Sequence, residues 1–212
     1  MDYRVDFIAL SFIRHPEDIV KLRDWLRSKG CSKYLIAKIE KKEAVDNFED
    51  ILKVADGIMV ARGDLGVELK PQAVPVIQKK IIRRCNEVGK LVITATQMLE
   101  SMIKNPIPTR AEASDVANAV WDGTNVVMLS GETSVGKYPV ETVEIMNDIL
   151  LNTEKPTDWS IPIKYEVPDN LQDNLFDSTG RAVVDISNQV KASLIVVFTH
   201  YGRKAKMVAK FR

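Results

Sequence analysis

The sequence is poor in the residues that carry several common chemistries. Only two cysteines occur among 212 residues, Cys31 and Cys85. They form no CxxC pair, which excludes a disulfide framework and a thiolate zinc site and points to a reducing compartment. Only two histidines occur, His15 and His200, so there is no HExxH metal motif and no basis for a histidine-centred triad. An excess of one charge is also missing: 30 basic residues nearly cancel 29 acidic ones, for a net charge of +1. Aromatics make up 7% and are not interleaved with basic clusters, so neither a polyanion-binding field nor a stacking platform for single-stranded nucleic acid is expected. No apolar run approaches the roughly 20 residues needed to span a bilayer. Asp2, Arg4 and Asp6 interrupt the start, where a signal peptide would be apolar. The expected setting is the cytoplasm, with no membrane and no nucleic-acid partner.

What is present is one unit repeated. A short apolar, β-branched run ends in polar residues, and an amphipathic stretch follows. The runs are VDFIALSF, YLIAKIE, GIMVARGD, LVITATQM and NVVMLSGE. Between them, HPEDIVKLRDWLRSKG places Ile19, Leu22, Trp25 and Leu26 on one helical face and stops at Gly30. EAVDNFEDILKVADG, QAVPVIQKKIIRRCNEVGK and PVETVEIMNDILLNTEK read as further helices. Near-continuous apolar strands alternating with helices imply an α/β fold with a parallel sheet. No GxGxxG or Walker A sequence argues for a nucleotide-binding open sheet. Instead, successive runs end in reactive groups: Ser11, then Lys38 and Glu40, then Arg62 and Asp64, then Thr96 and Gln97, then Ser130 and Glu132. A barrel gathers every strand C-terminus around one site, whereas an open sheet gathers only those beside its switch point, so a partial (β/α)8 barrel is expected over residues 1–152. The stretch 153–172, broken by Pro156, Pro162 and Pro168, reads as a linker. Residues 173–212 then give a helix, the strand SLIVVFTH and a second helix, the start of a truncated α/β domain. Five parallel strands cannot close an eight-stranded barrel, so the chain is expected to be a piece of a longer protein.

The strand ends suggest a chemistry. Alternate strand residues share a face, so Lys38 joins Glu40, Arg62 joins Asp64, Thr94 joins Thr96 and Ser130 joins Glu132. Glu40 and Asp64, on adjacent strand ends, would hold one Mg²⁺ or Mn²⁺ and leave its other positions to water and substrate. Lys38 beside that ion would neutralise charge on a transferring phosphoryl group. Gly63 lets backbone approach a ligand, and the N–H groups of Gly63 and Asp64 with the Thr96 hydroxyl would bind a carboxylate. In THYGRKA, residues Thr199, Gly202, Arg203 and Lys204 lead from strand into helix and could cradle a phosphate.

The segments LIAKIE, GIMVARGDLGVEL, ITATQMLESMIKNPIPTRAEASDVANAVWDGT and VVMLSGETSVGKYPVE resemble the pyruvate kinase family, and the resemblance covers nearly the whole chain. It implies barrel strands four to eight and the start of the C-terminal domain. It implies phosphoryl transfer from phosphoenolpyruvate to ADP, giving pyruvate and ATP. Lys38 then assists transfer, Glu40 and Asp64 ligate the metal, and Gly63, Asp64 and Thr96 receive the substrate carboxylate. Thr96 and Ser130 belong to the protonation network, with Ser11 and Arg62 at neighbouring strand ends. A potassium ion is a further implied cofactor, its site falling in earlier strands that are absent here along with most ADP contacts. A homotetramer is implied for the full-length protein, and little activity for this chain alone. The competing readings are a Mg²⁺-dependent aldolase or lyase barrel acting on pyruvate, and a non-catalytic fragment.

Overall fold

The computed structural model describes residues 5–155, 171–200 and 202–211, with side chains from 174 onward in the stretch that opens at 171. The chain divides into two compact units, residues 1–85 with 91–162 and residues 86–90 with 163–212. Most of the expected linker, 156–170, lies outside the described residues.

In the first unit the apolar runs form five strands: β1 (Phe7–Leu10), β2 (Tyr34–Ile39), β3 (Gly57–Ala61), β4 (Leu91–Ala95) and β5 (Val126–Met128). All neighbours are parallel and the sheet order is β1-β2-β3-β4-β5. A doubly wound sheet reverses its order at a switch point, and this one does not. Right-handed crossovers between strands in sequence order put the connecting helices on one face. Those helices are α1 (Pro16–Ser28), α2 (Lys42–Asp46), α3 (Phe48–Val54), α4 (Arg62–Glu68), α5 (Val74–Glu87) and α6 (Arg110–Trp121), with α7 (Gly131–Ser134) and α8 (Pro139–Thr153) after β5.

Register assigns the two sheet faces. Leu35, Ala37, Ile39, Ile58, Val60 and Val92 are fully buried on one face. On the other, Ala9 pairs with Ile36, Lys38 with Met59, Met59 with Ile93, and Ala95 with Met128. Ile36, Met59 and Ala95 form the core of that second face, flanked by Leu91, Ile93 and Met128. Lys38 therefore stands on the face of Ile36 and Met59, and alternation carries Ser11 and Glu40 to the same side.

Local signals set the helix ends. Pro16 opens α1, and the Asp18 carboxylate accepts the N–H groups of Arg14 at 3.0 Å and His15 at 3.1 Å. Those two bonds hold the Asp18 carboxyl below its ordinary range. Thr109 and Glu112 form a capping box at the start of α6. Glu112 also accepts the Ser101 N–H at 2.7 Å and hydroxyl at 2.6 Å. Burial raises the Glu112 pKa, but the bonds from Ser101 and Thr109 outweigh it, and the carboxyl lies below its usual value. Met98 and Met102 pack with Leu99, Val116, Ala119 and Met146, so the methionines are core residues, as their apolar stripe suggests. Trp25 departs from expectation. At 100° per residue it lies about 120° from Ile19, outside the stripe of Ile19 and Leu26, and it is 50% exposed.

In the second unit α9 (Leu171–Gln189) packs against α10 (Arg203–Lys210). Gly180 permits their close approach: a Cβ there would lie 3.3 Å from the Met207 carbonyl and from the Phe211 ring. Lys210 pairs with Asp177 at 2.5 Å. The expected strand SLIVVFTH forms no ladder among the described residues. Its alternation is visible, with Ile195 and Val197 half-buried while Leu194, Val196 and Phe198 are exposed. A strand assignment needs a hydrogen-bonded neighbour, and none pairs with this segment among the described residues.

Candidate active site

Three groups expected at the site meet between β1 and β2. Lys38 Nζ donates to Ser11 Oγ at 2.8 Å and lies 3.0 Å from Glu40 Oε2. Glu40 has no solvent exposure. Its Oε1 accepts the N–H of Phe12, a residue held at a left-handed φ of 59° just past β1. Its Oε2 accepts no hydrogen bond, because Lys38 Nζ, though close enough for Coulomb attraction, is off the line of a hydrogen bond. A buried carboxylate oxygen with only an off-axis ammonium nearby is under-satisfied, and a cation would complete it.

A second group forms between β3 and β4. Here the expected alternation fails, because α4 begins at Arg62 immediately after β3. Arg62 and Asp64 consequently do not share a side. Arg62 is buried, and Asp64 stands exposed in the first turn of α4. The Arg62 guanidinium donates to the Thr96 carbonyl at 2.8 Å from Nη2 and 3.1 Å from Nε, to the Gln97 carbonyl at 2.8 Å, and to Asp115 at 2.5 Å. Thr96 and Gln97 have φ of 68° and 55°, both left-handed. Thr94 and Thr96 also part company. Thr94 is fully buried against Thr124 at 2.9 Å, on the face opposite Ala95, whereas Thr96 has already turned.

The sequence suggests that the Gly63 N–H is open to a ligand, but it donates to Thr96 Oγ1 at 2.8 Å, and the Thr96 hydroxyl donates to the Ala95 carbonyl at 2.7 Å. Two of the three donors expected to meet a carboxylate are thus engaged at the ends of β3 and β4. Space is short as well: a Cβ on Gly63 would lie 3.3 Å from Thr96 Oγ1.

At the end of β5, Ser130 precedes the short helix α7, so Ser130 and Glu132 do not alternate as strand residues either. Glu132 is buried and accepts the Ser130 N–H at 2.8 Å and the Leu99 N–H at 3.2 Å. It ties the segments after β4 and β5 together, a positioning duty that its place in the sequence does not disclose. Asp115, the anionic partner of Arg62, is a residue of this cluster that sequence reasoning misses. The sequence signals only that some anion is needed, not which one: an arginine ending a fully apolar run is buried, and a buried arginine needs an anion.

In the second unit Gly202 has a φ of 73° and caps α10, with Arg203 and Lys204 in its first turn. The Arg203 guanidinium lies 5.9 Å from the Phe176 ring centre, and Lys204 borders an apolar cavity of about 530 Å³. Thr199 is exposed in the segment before them.

Parallel strands in unbroken sequence order, with polar groups collected at their C-terminal ends, place the chain in the class of (β/α) barrels. A family model described as "Pyruvate kinase, barrel domain" matches residues 1–143. A pyruvate kinase of Sporosarcina psychrophila is 49% identical over 209 residues, covering 98% of this chain and 36% of that protein. One from Geobacillus stearothermophilus is 48% identical over 209 residues, covering 98% and 35%. One from Clostridium perfringens is 46% identical over 213 residues, covering 100% and 45%. The chain belongs to the pyruvate kinase family. It spans between 35% and 45% of the length of these curated relatives.

Proposed function

We propose that this chain carries the metal and phosphoenolpyruvate subsite of a pyruvate kinase, which moves a phosphoryl group from phosphoenolpyruvate to ADP in a cytoplasmic step of glycolysis. In this reading β1 to β5 are barrel strands four to eight, residues 1–152 are the partial catalytic barrel, 153–172 a linker, and 173–212 the start of the C-terminal domain. The observation that carries the reading is Glu40, a carboxylate without exposure whose Oε2 accepts no hydrogen bond although Lys38 Nζ stands 3.0 Å away. Among the described residues no cluster of three or more His, Cys, Asp or Glu forms. The donor set is instead Glu40 with exposed Asp64, two hard oxygen ligands of the kind Mg²⁺ or Mn²⁺ takes. When bound, such a cation supplies charge neutralisation at the phosphoryl and enolate oxygens.

The chain's own residues do the rest. Lys38 faces the transferring group and offsets the charge that builds on it. The P–O bond to the enol oxygen breaks as the new bond to the terminal ADP oxygen forms, and the enolate is then protonated at carbon. Thr96 and the N–H groups of Gly63 and Asp64 hold the carboxylate, exchanging their internal bonds for the ligand. Thr96 and Ser130 order the hydroxyl network that delivers the proton, and Ser11 holds Lys38 in line. Thr199, Gly202, Arg203 and Lys204 form an effector-phosphate cradle. The full-length protein is a homotetramer that also uses potassium.

Calorimetry with Mn²⁺ and oxalate, an enolate mimic, tests the site. The chain should bind oxalate only with Mn²⁺ present, and Asp64→Asn should abolish it. Oxalate bound equally well by the Asp64→Asn chain would overturn the assignment. In a coupled assay this chain alone should turn over far more slowly than a full-length relative, and equal rates would refute its being only part of the machinery.

A further inference from the structure

Thr96 and Gln97 are two consecutive non-glycine residues in the left-handed region, at φ of 68° and 55°. A β-branched residue is an outlier there, and such backbone persists only where its surroundings over-determine it. One side chain does so. Arg62 spends two nitrogens on the carbonyls of these two residues, with Nε at 3.1 Å and Nη2 at 2.8 Å from Thr96 O and Nη2 at 2.8 Å from Gln97 O. Its third nitrogen, Nη1, is fixed by Asp115 at 2.5 Å and Gln78 at 3.4 Å. The next residue, Gly63, holds the same threonine from its other side, its N–H reaching Thr96 Oγ1 at 2.8 Å.

We infer that Arg62 is a positioning residue, oriented by Asp115, that holds the Thr96–Gln97 turn left-handed and thereby presents the Thr96 hydroxyl beside the Gly63 N–H. The importance of that placement for ligand binding rests on the carboxylate subsite proposed above; the hold on the backbone does not. The planar fork matters: a lysine ammonium could stand where Nη2 bridges the two carbonyls, but it would lose the Nε bond to Thr96 and the orienting Asp115 pair at Nη1. Arg62 acts only through Thr96 and touches no substrate.

The test uses Arg62→Lys and Asp115→Asn in the full 212-residue chain. Carbon shifts and N–H/Hα couplings of Thr96 and Gln97 report the sign of φ directly. In Arg62→Lys they should leave left-handed values while strand signals elsewhere stay in place, and in Asp115→Asn they should move the same way by less. With Mn²⁺ present, oxalate affinity of Arg62→Lys should fall about tenfold or more, the size of effect that removing one charge-assisted hydrogen bond produces. Affinity for Mn²⁺ alone should not change, which a general loss of structure would not allow. Left-handed signals retained in Arg62→Lys would overturn the inference; unchanged oxalate affinity beside altered signals would overturn the importance of the turn for ligand binding. If Arg62→Lys does not fold, Asp115→Asn decides, and unaltered Thr96 signals there overturn it. If the unsubstituted chain binds no oxalate, the proposed function fails, and the Thr96 and Gln97 signals alone settle the role of Arg62.

Discussion

Replacing Glu40 by glutamine separates the two duties of its carboxylate. The amide oxygen can still accept the Phe12 N–H, so the turn after β1 keeps its anchor. The amide nitrogen then faces Lys38 Nζ, which stood 3.0 Å from Oε2, so an ion pair becomes donor against donor. Removing one member of a buried pair costs about 3–5 kcal/mol. Here Lys38 is 23% exposed and keeps its 2.8 Å bond to Ser11, so water and a hydroxyl soften the loss to about 2 kcal/mol. With a urea slope of about 2 kcal/mol per molar, the unfolding midpoint should fall by about 1 M. The measurement is urea unfolding followed by circular dichroism in EDTA, where no divalent ion contributes. A parallel Mn²⁺ titration by electron paramagnetic resonance should show binding reduced at least about tenfold, since half the proposed donor set loses its charge. An unchanged or raised midpoint would refute the claim that the Lys38–Glu40 pair is net stabilising. Undiminished Mn²⁺ binding would refute the claim that Oε2 awaits a cation.

Two further outcomes follow from the same geometry. A Cβ at Gly136 would collide with the Glu132 carbonyl oxygen and lie 3.3 Å from Ile103 Cα, both backbone atoms, so Gly136→Ala should cost about 2–4 kcal/mol, read as a lowered thermal midpoint; a native midpoint would show that the 131–136 turn yields freely. Glu112 titrates below its ordinary 4.5 in the fold, so the stability it adds is complete above that value and drains away as pH falls through the lower folded value. The stability difference between the unsubstituted chain and Glu112→Gln should accordingly shrink as pH drops below 4.5, and a difference constant across that range would refute the assignment.

The parallel sheet and its loaded C-terminal ends are legible in the sequence because apolar runs of strand length recur between helical periods. Lys38 and Glu40 can be placed on one face because they belong to β2 or its immediate continuation. The same rule misplaces Arg62, Thr96 and Ser130 for one physical reason: period-2 alternation holds only while the backbone is extended. At Arg62 the chain is already helical, at Thr96 it is left-handed, and at Ser130 it is capping α7. No local pattern distinguishes a strand's last residue from its first turn residue when both are polar. The partner of Arg62 is illegible for a different reason, since Asp115 lies 53 residues away and meets it only through the fold.

These irregular ends also explain why the sheet's C-terminal edge holds its shape. Beyond each strand the ladder stops, and backbone donors and acceptors there need other partners. A polar side chain supplies a link at every junction. Glu40 takes the N–H of Phe12 and joins the ends of β1 and β2. Lys41, just past β2, pairs with Glu68 of α4, just past β3. Arg62 and Gly63 hold Thr96 and join the ends of β3 and β4. Glu132 takes the N–H groups of Leu99 and Ser130 and joins β4 to β5. Several residues proposed to bind metal or substrate are therefore also the ones that fix their neighbours. Neighbouring links stand on the same short segments, Glu40 beside Lys41 and Glu68 in the helix that opens at Arg62, so the effects of substitutions there on stability and binding should be non-additive, unlike those at links separated by a whole strand.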